Sequence, residues 1–175
     1  MNVSKLWRYG SICLLMLSSV FSSHAKENCQ QTFEASKAGV SAALSFSGSC
    51  ERGMFQLALT MPEGQQQTLY EAYHQPISAI WLEKLTGKPQ PDLVMLLEAD
   101  GHFKGLLVYS WVNNHYQKLA IKQPEASLLE GYDQQDRVYV RWGELVRQIK
   151  LADPDSAGWR RLRYDFAQKL WVESN

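Results

Sequence analysis

The sequence predicts an all-β protein: an antiparallel, β-sandwich-like single domain behind a cleaved export signal. Three observations predict it. Apolar and polar residues alternate at period two through most of the chain. The alternating runs are short, and Gly, Pro, Asn or Asp bounds each of them. Finally, 175 residues that are 45% hydrophobic suffice for one core of ordinary size.

The first 25 residues read as the export signal. A basic opening, "MNVSKLWR", leads into the apolar "SICLLMLSSVF", and "SSHA" places small residues at Ser23 and Ala25, where a signal peptidase inspects the chain. Cleavage after Ala25 leaves residues 26–175 as the mature domain. Cys13 stands at the start of the apolar segment, not its end, which argues against a lipid anchor. No later run approaches the length of a membrane helix, so a soluble periplasmic protein without a membrane anchor is expected. Loss of Lys5 and Arg8 leaves 16 basic against 18 acidic residues. That balance offers no global field to attract nucleic acid or an anionic membrane. Two cysteines remain after cleavage, Cys29 and Cys50. In an oxidising compartment such a pair predicts a disulfide, contributing about 3 kcal/mol in the chain-entropy model, with two free thiols as the alternative.

The strands follow in order. In "GVSAALSFSG", Val40, Ala42, Leu44 and Phe46 fall on one face, and in "MFQLALTM" so do Phe55, Leu57, Leu59 and Met61. "TLYEAYH" and "ISAIWLE" come next. "DLVMLLEA" is apolar at nearly every position, so both its faces should be covered. "GLLVYSWV" and "YQKLAIK" are joined through Asn113 and Asn114, residues suited to a two-residue hairpin turn. "QPEASLLEGYDQQD" breaks the rhythm and predicts a short helical turn followed by a loop. "RVYVRW", "LVRQIKL", "WRRLRYDF" and "KLWVES" complete the set, with "ADPDSAG" as a long turn before the closing hairpin.

Residues able to do chemistry are sparse. The mature histidines, His74, His102 and His115, lie at no metal-ligating spacing, and the Asp153/Asp155 pair beside Pro154 fits a turn better than a calcium loop. There is no G-x-S-x-G elbow and no phosphate-cradling glycine loop. The expectation is a protein that is not an enzyme and holds no metal and no cofactor. Arg137 with Arg141, and Arg161 with Arg163, share strand faces, where cross-strand ion pairs on a solvated face are expected.

One loop stands apart. "EADGHFKG", Glu98 to Gly105, joins two apolar runs. Asp100 and Gly101 supply turn chemistry, but Phe103 is not explained by it: the ring either folds back onto the sheet or points outward as an anchor. From about Ile77 onward, the ordered pattern "PDLVMLLEADGHFKGLLVYSWVNN", "EGYDQQDRVYVRWGELVRQIKL" and "WRRLRYDFAQKLWVES" resembles the periplasmic inhibitors of invertebrate-type lysozyme. The resemblance implies a β-sandwich-like fold whose loop, carrying a Ser-Gly-x-Tyr type motif, enters the lysozyme cleft. On this chain Asp100 stands at the serine, Gly101 matches, His102 is the variable position and Phe103 stands at the tyrosine. The implied partner is a lysozyme of the invertebrate type. The implied binding loop is Asp100, Gly101, His102, Phe103 and Lys104, with His102 or Lys104 meeting acidic groups in the cleft. A diverged, non-inhibitory exported protein binding another cell-envelope target is the alternative.

Overall fold

A computed structural model describes Cys29, residues 31–152 and residues 158–174. The segment expected to be an export signal, Cys13 included, and most of "ADPDSAG" lie outside the described residues. The fold is all-β, with three four-stranded antiparallel sheets, each a meander in chain order. The first holds β1 (Phe33–Lys37), β2 (Val40–Gly48), β3 (Gly53–Thr60) and β4 (Gln66–Tyr73). The central one holds β5 (Ile77–Glu83), β6 (Asp92–Ala99), β7 (His102–Val112) and β8 (His115–Leu119). The third holds β9 (Tyr132–Arg141), β10 (Glu144–Leu151), β11 (Trp159–Asp165) and β12 (Leu170–Glu173).

Period two explains why these sheets stack. Along β6, Leu93 and Met95 join Leu44, Phe55, Leu57 and Leu59 in one core, between the first and central sheets. Val94, one residue out of phase, joins Leu145, Ile149 and Leu162 in a second core, between the central and third sheets. The sandwich therefore has three layers, and β6 runs through the middle one, as its unbroken apolar sequence requires. Asn113 and Asn114 both have positive φ (50° and 62°), the pattern of a type I′ turn, and join β7 to β8 as expected. Cys29 and Cys50 form a disulfide with Cα atoms 4.6 Å apart. Beside it, the Cys29 N–H donates to the Gly48 carbonyl at 2.7 Å.

Two elements differ from the sequence reading. β1 has only Phe33 and Ala35 as apolar residues, both half-buried, too weak an alternation to be legible; it is held by full pairing with β2 from Phe33↔Leu44 to Lys37↔Val40. β9 begins at Tyr132, so "YDQQD" is strand and not loop, although the short helical turn expected before it is present, as a 3₁₀ turn at Ala126–Leu129. The rhythm breaks there because the register between β9 and β10 shifts and Gln134 adopts φ 68°, a bulge that rephases the strand. The arginine pairs behave as a solvated face: Glu144 receives Arg161 at 2.7 Å and Arg163 at 3.7 Å, while Arg137 stacks on Trp159 and Arg141 on Trp142.

Candidate functional site

Asp100 and Gly101 form the two-residue turn between β6 and β7, with φ of 54° and 73° and Ala99 paired to His102. Just after the turn the register steps from Glu98↔Phe103 to Leu97↔Gly105, leaving Lys104 as an extra residue on β7. Asp100, Gly101, His102 and Lys104 are all exposed. The His102 ring is tethered, with Nδ1 3.0 Å from the carbonyl oxygen of Gln134 on the β9 bulge.

Phe103 is placed differently. Its ring is half-buried and the Arg147 guanidinium covers it, 4.4 Å from the ring centre. Of the two placements open to it, the chain adopts the inward one, so this aromatic supports the hairpin instead of tipping it. Beneath lies a small cavity of about 120 Å³ to which Leu97, Leu106 and Trp171 also contribute.

What holds the hairpin's base is a buried ion pair. Arg147 Nε donates to Asp136 Oδ1 at 2.6 Å, with side chains only 5% and 2% exposed. The Tyr132 hydroxyl donates to the other oxygen of Asp136. Burial first, and then that hydrogen bond beside the carboxylate, push the Tyr132 phenol up to about 12, with Arg147 opposing. At neutral pH the phenol is therefore a donor, and Asp136 is satisfied on both oxygens. The pair carried a signal in sequence: Leu145, Arg147 and Ile149 share one face of a strand, so a cation sits where the pattern demands an apolar side chain.

The opposite end of the central sheet carries another cavity, a cleft of about 780 Å³ between the central and third sheets. Its wall, the segment after β5, is fixed by Asp92, which is fully buried and accepts the N–H groups of Leu85 and Thr86 at 2.9 and 2.8 Å and the Thr86 hydroxyl at 2.9 Å. Thr86 Oγ1 also lies 3.1 Å from Ser110 Oγ. Asp92 thus gives the "PDL" stretch a structural meaning: its buried carboxylate takes up the backbone donors of the half-buried Leu85 and Thr86. Beside the cleft, Trp142 and Gly143 make the β9–β10 turn with φ of 51° and 77°. Trp142 is 80% exposed. A tryptophan at a left-handed position is uncommon, and "WG" where a hairpin favours Asn-Gly or Asp-Gly is the signal that sequence reading passed over.

No family model and no curated protein matches the chain. Among solved structures, the chain is similar to one titled "Structure of a Xanthomonas Type IV Secretion System related protein", at 13% identity and a TM-score of 0.35, over 86% of this chain and 98% of that one.

Proposed function

We propose that this protein is an exported, non-catalytic inhibitor of a lysozyme and docks through the β6–β7 hairpin. The observation that carries the reading is the hairpin itself: exposed Asp100 and Gly101 on the turn, with exposed His102 and Lys104 at the start of β7, above a base fixed by the Phe103–Arg147–Asp136 stack. A loop ordered before binding loses little entropy on docking. Glycan-cleaving clefts of this kind hold a pair of carboxyl groups. Lys104, and His102 when protonated, present the complementary charge. Phe103 acts as a brace under the loop.

A second reading is favoured by Asp100, whose exposed side chain would place a carboxylate against carboxylates. On that reading the hairpin binds another cell-envelope target. Turnover by invertebrate-, chicken- and goose-type lysozymes, measured with the purified mature protein added, separates the two. Protection of at least one class at stoichiometric protein supports inhibition; no protection of any class at stoichiometric excess removes it.

A further inference from the structure

We infer that the cleft between the central and third sheets is a second binding site, built for a soluble amphipathic anion with a single apolar chain and one acidic head group. Its volume of about 780 Å³ lies within the roughly 300–1,000 Å³ of small-molecule sites. The floor is apolar, with Val112, Leu119 and Ile121 from the central sheet side and Phe166 from the third. The rim is cationic: Lys88, Lys122 and Lys169 all line it, all are exposed, and none makes an ion pair among the described residues.

The acids at the same rim are already engaged. Glu144 pairs with Arg161 and Arg163, and Asp165 accepts the N–H groups of Ala167 and Gln168, both at 2.9 Å. Three uncommitted cations over an apolar floor select a ligand with one negative end and one apolar body; a small inorganic anion leaves the floor wet, and an amphipathic cation is repelled. Two further features fit a site and not a packing defect. The wall is held rigid by the buried Asp92 node, and the exposed Trp142 stands one residue from Gly143, which lines the cleft. The cleft and the Asp100 hairpin lie at opposite ends of β7, and the eight residue steps from His102 to Ser110 span about 26 Å. The inference therefore stands independently of the lysozyme reading.

Calorimetric titration of the mature protein with dodecanoate, with dodecyltrimethylammonium and with acetate tests it. Saturable binding of one dodecanoate per chain is expected, with the other two at least about tenfold weaker. The triple variant K88E/K122E/K169E should lose about tenfold or more in dodecanoate affinity. Ala120 lines the cleft at an exposed position, so Ala120→Trp should fill it and abolish binding without disturbing either core. Lys104→Glu, at the far end, should leave dodecanoate binding unchanged. Equal affinity for the cation, no saturable binding, or retention of wild-type affinity in the triple variant or in Ala120→Trp would overturn the assignment. So would binding to phosphatidylglycerol vesicles that is lost in the triple variant and in Ala120→Trp while free dodecanoate does not bind, which would make the cleft a membrane-facing surface.

Discussion

The Arg147 guanidinium lies 4.4 Å from the centre of the Phe103 ring while its Nε holds Asp136 at 2.6 Å. One side chain thus joins the β6–β7 hairpin of the central sheet to the β9 strand of the third. The hairpin inherits its rigidity from a buried ion pair in a different sheet. Phe103→Ala should therefore lower unfolding free energy by about 2 kcal/mol, below the roughly 3–5 of a fully buried phenylalanine, because part of the ring is exposed. Urea unfolding measures this, and unchanged stability would mean that the ring contributes no packing.

Asp136→Asn tests the pair beneath. The amide keeps the shape but leaves the Arg147 charge, 5% exposed, without its counterion. Breaking a buried pair from one side costs about 3–5 kcal/mol. The expected result is a correspondingly large fall in the urea midpoint. Restoration of stability by the double change Asp136→Asn with Arg147→Met would show that the unpaired charge, and not lost volume, was responsible.

The legible and the illegible parts of this fold divide along physical lines. Eleven of the strands could be read because each carries a one-sided apolar face or, in β6, two; Asp100–Gly101 and Asn113–Asn114 were readable because positive φ selects those residues. β1 and the start of β9 were not, since an edge strand with two half-buried residues and a bulged strand have no clean period. Local pattern also left Phe103 ambiguous. Its placement depends on Arg147, 44 positions away in sequence, and no local window contains both.

Tyr116 sets an alkaline limit. Its hydroxyl is buried, donates to the Pro91 carbonyl at 2.8 Å, and is pushed up to about 12, by burial first and then by the nearby Asp92 charge. A phenol raised in the folded state contributes stability that is fully present below the unfolded value of about 10 and is lost as pH rises from there toward about 12. Unfolding free energy should fall over that window by about 2–3 kcal/mol on account of this group. Tyr116→Phe should make the fall shallower in urea titrations at about pH 9 and about pH 11, and an identical fall would exclude Tyr116 as a source.

Trp142 makes the reverse prediction, a gain. Its φ of 51° is costly for a bulky residue, and Arg141 stacked at 3.7 Å returns only part of that. Trp142→Asn should raise stability by about 0.5–1 kcal/mol, because asparagine tolerates the left-handed region. A loss of stability in thermal melts would mean that the exposed indole packs more than its 80% exposure allows.

The most direct test of the proposed function is an inhibition titration of invertebrate-type lysozyme by the wild-type mature protein, by Lys104→Glu and by Asp100→Ser, with melting curves on all three. Both positions are exposed, so stability should stay within about 0.5 kcal/mol of wild type in Lys104→Glu and within about 1 kcal/mol in Asp100→Ser, where serine tolerates the φ of 54° less well than aspartate. The account predicts stoichiometric inhibition by the wild type, weakening of about tenfold or more in Lys104→Glu, and tighter inhibition in Asp100→Ser as a like charge leaves the tip. Absence of inhibition by the wild type, or equal inhibition by all three proteins at equal stability, would contradict it.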